Sequence, residues 1–317
     1  MNLCGIALAH PIINASGTFD AIAARRTFGD ALLRRFPFAA FVSKTVTVEP
    51  RQGNPPPRLW ELPGGMINSI GLPNKGLEGY LAHDLSELAR LPVPLIVNVM
   101  GFTREQVATL VEAFGDRDEV AGLELNVSCP NVETGMIMGA DPHETGALLD
   151  AVRPHTRKPL IVKLTPNCTS PGEVAAAAEA HGADAVSLVN TLRGMAFHPR
   201  RPSEPWLGGG ERSGDEAPGR GSGGVSGPAV RAIALAQVAE VRSRVSIPIV
   251  GMGGVQNGRH AYDFIHAGAD VVAVGTESFR DPLAGARVAA ELAEIPANSG
   301  ISGAMGRAVR GPIAHNR

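Results

Sequence analysis

Short apolar runs punctuate the chain at 12–14, 40–44, 95–99, 122–126, 160–163, 185–189, 248–251 and 271–274. In several of them both alternate faces are apolar, as in Leu95-Ile96-Val97, the pattern of a parallel strand covered by helices on its face. Most are followed by a segment in which apolar residues return every three or four positions. Six such helical segments stand out, at 104–114, 143–155, 171–181, 228–244, 258–267 and 282–292. Pro171 and Pro282 sit where proline suits a first helical turn. Gly182 and Gly268 each follow a helix and open the same tripeptide, Gly-Ala-Asp, ahead of the next strand, so the two units make the same glycine-capped turn. Strands and helices alternating in this way predict an α/β protein, a single (β/α)8 TIM barrel over 1–295, with 296–317 as a C-terminal tail.

Two connections are longer than such a barrel needs, 45–74 and 192–227. The first carries Arg51, Gly53, Asn54, three prolines at 55–57, Arg58 and then Asn68-Ser69-Ile70-Gly71-Leu72. Loops that follow barrel strands lie on the catalytic face, which makes this segment a candidate wall of a site. The second is rich in Gly, Pro, Arg and Glu, with little apolar content between 208 and 224; it reads equally as a mobile flap or a disordered insertion.

Charge narrows the partners. Lys plus Arg number 29 against 31 Asp plus Glu, a formal net charge of -2, so no basic field for nucleic acid is expected. The three cysteines, Cys4, Cys129 and Cys168, are odd in number and lack metal-ligand spacing, which argues against a disulfide framework and against a metal site and fits a reducing cytoplasm. No basic segment leads into an apolar one at the N-terminus and no apolar run is long enough to span a bilayer, so neither signal peptide nor membrane association is expected.

Polar residues gather at the C-terminal ends of the expected strands: Ser16, Lys44, Asn98, Asn126 with Cys129, Lys163, Asn190 with Thr191, Gly253-Gly254 and Gly275-Thr276. The last two strands of a barrel are the usual seat of a phosphate, where glycine lets backbone N–H groups approach an anion. Cys129 falls just beyond the fourth strand, facing the mouth, and a thiol there can act as a base if nearby dipoles or a cation lower its pKa. Cys4 and Cys168 read as small buried hydrophobes. Lys44 and Lys163 each close an apolar run, an expensive place for a charge unless an anion awaits it. Asn68, Asn126, Asn131 and Asn190 offer paired donors and acceptors suited to a flat, amide-rich ligand. His143, His155, His181, His260 and His266 share no metal spacing and read as solvated or capping residues.

The stretches Ala15-Ser16-Gly17-Thr18-Phe19, Ser43-Lys44-Thr45, Pro50-Arg51-Gln52-Gly53-Asn54-Pro55, Asn68 to Leu72, Asn126 to Asn131, Asn190-Thr191, Ser226-Gly227-Pro228 and Gly251-Met252-Gly253-Gly254 resemble, in order, the class 1 dihydroorotate dehydrogenases. The resemblance runs from about residue 1 to 290. It implies FMN across the barrel mouth, with its phosphate on Gly253, Gly254, Gly275 and Thr276 and its ring near Ser16, Lys44, Thr45, Asn98, Asn126, Lys163, Val189 and Gly227. It implies dihydroorotate held by Lys44, Asn68, Ser69, Ile70, Gly71, Leu72, Asn126, Asn131, Asn190 and Thr191. It further implies that Cys129 removes the C5 proton while hydride passes from C6 to flavin N5, giving orotate for pyrimidine biosynthesis.

Lys44-Thr45-Val46-Thr47 and Asn131-Val132-Glu133-Thr134-Gly135 look most like subtype B, the NAD-linked form. The resemblance thus implies an iron-sulfur flavoprotein partner that carries FAD and an iron-sulfur cluster, and a homodimer of the catalytic chain. Segment 200–224 is longer and more glycine-rich than the family pattern, 20–26 replaces a more glycine-rich stretch, and the tail after Leu292 is unlike it. The fumarate-using subtype, a dihydropyrimidine dehydrogenase, a flavin-free phosphate-binding barrel lyase or isomerase, and a barrel that binds without catalysing are the alternatives.

Overall fold

The computed structural model describes residues 1–128, 138–207 and 221–296. Eight parallel strands form the central sheet: β1 (Ile12–Asn14), β2 (Phe41–Val42), β3 (Leu95–Val99), β4 (Gly122–Asn126), β5 (Leu160–Lys163), β6 (Ala185–Leu188), β7 (Ile249–Met252) and β8 (Val271–Val274). They are hydrogen-bonded in the order β1-β8-β7-β6-β5-β4-β3-β2. The ring is closed between β1 and β2 by side-chain and loop bonds instead of a ladder. Asn14, fully buried, donates from Nδ2 to the Val42 carbonyl (2.8 Å) and accepts from the Val42 N–H (2.8 Å), while Ala39 N–H donates to the Ile12 carbonyl (2.9 Å). One amide side chain thus satisfies the backbone groups that an adjoining strand would otherwise pair. The (β/α)8 barrel read from the periodicity is the fold of the chain.

Helices alternate with these strands as α1 (Ala21–Phe28), α2 (76–88, with a π turn at Tyr80–Asp84), α3 (Arg104–Gly115), α4 (Pro142–Val152), α5 (Pro171–Ala180), α6 (Arg231–Arg242), α7 (Gly258–Ala267) and α8 (Ala284–Ala293). Thr103, Asp141 and Asn257 each accept from a backbone N–H of the first turn that follows, which fixes where α3, α4 and α7 begin. Strand parity then sorts the apolar residues into two cores. Val97, Leu123, Leu125, Val162, Val186 and Leu188 point outward into the layer shared with the helices, where each fully buried aliphatic side chain contributes about 1.5–3 kcal/mol. Ile13, Ile96, Ile161, Ala185, Val250 and Val271 point inward.

The base of the barrel is stoppered by the hairpin of Asn2–Leu3 and Ile6–Ala7, whose Leu3 and Ile6 join the inward core. The repeated Gly-Ala-Asp tripeptide does the same work twice here. Asp184 accepts from the Leu160 N–H at the start of β5 (2.8 Å) and pairs with Arg153; Asp270 accepts from the Ile249 N–H at the start of β7 (2.8 Å) and pairs with Arg242. In each case an arginine at the end of one helix and an aspartate two elements later clamp the strand between them.

The two long connections, expected as a site wall and as a flap or disordered insertion, fold together. Leu59–Leu62 and Gly65–Asn68 from the first, and Leu192–Met195 and Ser222–Ser226 from the second, form one four-stranded antiparallel sheet. Its underside carries a small core of Ile67, Ala196 and Leu207, with Trp60 and Trp206 edge to face at 5.4 Å. Residues 208–220 of that second connection and the tail from 297 onward lie outside the described residues.

Candidate active site

At the C-terminal ends of the strands the inward-facing positions change from apolar to polar. Register places Asn98 beside Glu124, Asn126 beside Lys163, and Lys163 beside Ser187. Glu124 is 3% exposed and is the hub: Asn98 Nδ2 donates to Oε1 (2.6 Å), Ser187 Oγ donates to Oε2 (2.8 Å), and Lys163 Nζ stands 3.7 Å from Oε1. Lys163 is itself 6% exposed. At that distance the two charges balance without a direct hydrogen bond, a costly arrangement for a cation this buried. Asn98 Oδ1 is likewise buried without a partner among the described residues.

One step toward the mouth, Asn190 Nδ2 donates to Ser128 Oγ (2.7 Å) and Asn126 Oδ1 (3.3 Å), while its own Oδ1 accepts from the Thr191 N–H (2.8 Å). These bonds fix the two amides relative to each other across the ends of β4 and β6. Val189 is buried and donates its N–H to the Met252 carbonyl (2.9 Å). Cys129 and Asn131, the residues immediately beyond, lie outside the described residues.

The glycine pair after β7 is sterically enforced. Gly254 has φ +72°, and a Cβ there would sit 2.7 Å from the Gly227 carbonyl oxygen; at Gly227, φ +92°, a Cβ would meet the Gly65 Cα at 2.8 Å. Gly275 differs, with negative φ and open space of ordinary contact distance for a Cβ. Thr276 Oγ1 donates to Ser226 Oγ (2.8 Å), tying the turn after β8 to the antiparallel sheet. Gly227, Gly254 and Thr276 line a cleft of about 1110 Å³, walled on the other side by Leu59, Trp60 and Phe279. Its backbone-lined floor suits an anion held by N–H groups, and its apolar wall suits a flat ring system. These features fit a group with both a phosphate and a flat ring, such as a flavin mononucleotide.

Lys44 and Thr45 line a second cavity of about 660 Å³ together with Asn74 and Tyr80. Lys44 does not share the burial of Lys163: β2 ends at Val42, and the Lys44 side chain is exposed. Partial burial still pulls its ammonium below the ordinary lysine value, opposed by Asp20 and reinforced by Arg58. Ser16 donates from Oγ to the Ser43 carbonyl (2.8 Å), holding the end of β1 against this segment. Asn68 donates to the Gly224 carbonyl (3.2 Å), and the 69–72 stretch is bound to the loop before it, Asn54 donating to Ser69 and to the Ile70 carbonyl and Arg51 to the Gly71 carbonyl. Leu72, at φ +54°, ends that turn in the left-handed region. The structure therefore gathers Asn98, Asn126, Lys163 and Asn190 in one cluster, the glycines in the adjoining cleft, and Lys44 with Thr45 in the neighbouring cavity.

Glu124, Ser187 and Ser128 were not singled out by the sequence reading. For Glu124 the signal was present: a lone carboxylate two positions before Asn126, on the same face of a strand whose other residues are buried.

The remaining cysteines differ in character from a mouth-facing thiol. Cys4 Sγ donates to the Asp184 carbonyl (3.0 Å), and burial, with Asp184 and Asp270 nearby, pushes the thiol up to about 11. Cys168 is raised by burial as well.

A parallel barrel whose last strands end in an anion cradle and whose central strands end in a buried lysine and paired amides defines a barrel enzyme for a phosphorylated, ring-bearing ligand. The chain belongs to the dihydroorotate dehydrogenase family, whose model matches residues 1–295. It is 43% identical over 293 residues to the catalytic subunit of dihydroorotate dehydrogenase B (NAD(+)) of Pelobacter propionicus, covering 91% of this chain and 90% of that protein. The corresponding subunits of Desulforudis audaxviator and Geotalea daltonii are 42% and 40% identical, over 94% and 95% of this chain and 92% and 94% of theirs.

Proposed function

We propose that the chain oxidises dihydroorotate to orotate with FMN and passes the electrons to NAD through a separate subunit. The observation that carries this reading is the family match across the whole barrel, with NAD-linked catalytic subunits among its relatives at 40–43% identity. Gly253, Gly254, Gly275 and Thr276 hold the phosphate of FMN, and Ser16, Thr45, Asn98, Lys163, Val189 and Gly227 surround its ring. When bound, FMN supplies the hydride acceptor.

The chain's own residues orient the substrate and move the proton. Lys44, exposed in its cavity, meets the carboxylate; Asn68 to Leu72, Asn126, Asn131, Asn190 and Thr191 fix the ring amides. Cys129 takes the C5 proton as the C6 hydride departs. Mutual fixing of Asn126 and Asn190 by hydrogen bonds prepays orientation, the largest entropic part of such a reaction. Lys163 places positive charge where the reduced ring gains negative charge. The electrons leave through an iron-sulfur flavoprotein that carries FAD and an iron-sulfur cluster and docks on a homodimer of this chain, a reading supported by relatives named as the catalytic subunit of an NAD-linked enzyme.

Anaerobic yellow protein mixed with dihydroorotate is expected to lose its flavin absorbance. Bleaching by dihydrouracil and not by dihydroorotate would reject the substrate; a colourless protein that fails to retain added FMN would favour a flavin-free barrel. NAD reduction should appear only when the iron-sulfur flavoprotein is added, whereas turnover with fumarate alone would move the chain to the other subtype.

A further inference from the structure

Beneath the polar mouth lies a charge that the reaction itself does not use. Glu124 is buried in the middle of the barrel, and its partners among the described residues are themselves buried side chains. Its two oxygens take one hydrogen bond each, from Asn98 Nδ2 and from Ser187 Oγ, and its nearest cation is Lys163 at 3.7 Å. Donors on both oxygens are what a carboxylate anion accepts. The three partners come from three different strands, β3, β5 and β6, so the carboxylate braces the barrel ends from which two of the residues assigned to the flavin ring project. A hydrophobic residue of the same volume would fill the space at lower desolvation cost. The presence of a charge instead points to a job in which charge matters.

We propose that Glu124 is a positioning residue that sets the reduction potential of the bound flavin, by holding Asn98 and Lys163 in place and by partly cancelling the positive field of Lys163. This rests on the reading of Lys163 and Asn98 as flavin contacts. Lys163 alone would favour the electron-rich reduced ring strongly, since a cation in a water-poor site acts on a nearby charge with little screening. The Glu124 carboxylate, fixed behind it, lowers that preference. A flavin that must be reduced by substrate and then reoxidised by a partner needs a potential between the two, and an opposing charge pair is a way to tune it.

Glu124→Gln keeps the shape while removing the charge: its amide oxygen still accepts from Asn98 Nδ2, and its NH2 donates to Ser187 Oγ, whose hydroxyl turns to accept. In this variant the preference for reduced over oxidised FMN is expected to rise about tenfold or more, which is an upward shift of about 30 mV per tenfold for a two-electron couple. The potential is read by anaerobic titration against a reference dye, on protein shown by thermal melting to be folded. Ser187→Ala removes a neutral donor from the carboxylate and leaves its charge less neutralised, so the preference should move the other way, by about threefold. Opposite signs in the two variants support the proposal, because general loosening of the site would move both alike.

An unchanged preference in folded, flavin-bearing E124Q overturns it, as does a shift of the same sign in both variants. Should E124Q fail to fold, S187A decides: a preference that is unchanged or raised overturns the proposal. Wild-type protein that does not bind FMN would instead reject the cofactor reading on which it rests.

Discussion

The base and the mouth of the barrel are built from opposite ends of the same strands and treat polar groups in opposite ways. At the base, Asp184 and Asp270 are each bound by a strand N–H and an arginine, the Cys4 thiol donates a hydrogen bond to the Asp184 carbonyl, and Leu3 and Ile6 exclude water from the interior. At the mouth, Lys163 is buried 3.7 Å from its counter-charge and Asn98 Oδ1 has no partner among the described residues. The base pairs its charges with one another, although Arg242 Nε is buried without a partner among the described residues; the mouth leaves a buried amide oxygen facing the site and holds a lysine at arm's length from its counter-charge. The contrast teaches that in this chain stability and chemistry are assigned to different strand ends, so changes at one end should register in one kind of measurement and not in the other.

The largest effect expected concerns the mouth. Cys129→Ala should leave FMN bound but slow flavin reduction by dihydroorotate about 100-fold or more, from the usual worth of a positioned general base; stopped-flow loss of flavin absorbance measures it, and an undiminished rate removes Cys129 from the mechanism. Gly254→Ala should weaken FMN retention by about tenfold or more, because the new Cβ meets the Gly227 carbonyl in a conformation that L-residues avoid. Gly275→Ala, where a Cβ finds ordinary contacts, should weaken it far less. Equal losses in the two variants would mean that backbone clearance is not what the glycines provide.

At the base, Asp184→Ala and Asp270→Ala should each cost about 1–3 kcal/mol in denaturant unfolding, the penalty of leaving a buried strand N–H without its acceptor and removing the arginine's counter-charge, with no change in FMN affinity. Unequal costs would break the equivalence of the two Gly-Ala-Asp turns. The smallest effect is one of pH. Because the Cys4 thiol holds its proton more tightly when folded, its contribution is complete below the ordinary thiol value near 9 and is lost as pH rises toward about 11. Wild-type stability should therefore fall more steeply than that of Cys4→Ala across that window, and parallel curves would show that the thiol is not linked to folding.

What was legible in the sequence follows the same division. The eight barrel strands could be read because burial on both faces demands uninterrupted apolar runs, and Gly182 and Gly268 marked their turns. α1 was missed because only Ala21 of its eight residues is buried, leaving Arg25, Arg26 and Thr27 to obscure any period. α2 was missed because Gly76 and Gly79 open it and a π turn at Tyr80–Asp84 shifts its register away from 3.6. The antiparallel sheet was hidden by its glycines, Gly65, Gly194, Gly223 and Gly224, and by faces that are only half-buried, so that neither alternation nor an apolar run emerges. Polar strand ends revealed the mouth, but Glu124 passed unnoticed because its partners lie on strands 26, 39 and 63 residues away, and no spacing rule reports contacts across a barrel.

The shared antiparallel sheet also bears on how the chain can be recombined with its relatives. Ser222–Ser226 is hydrogen-bonded between Leu192–Met195 of its own connection and Gly65–Asn68 of the other, so neither insertion is a separable part. A chimaera that imports one of them alone would have to match the register of a foreign partner residue by residue, and a slip of one position would turn Ile67 out of its small core. The two connections, about 120 residues apart in the gene, should therefore be exchanged as a pair or left alone.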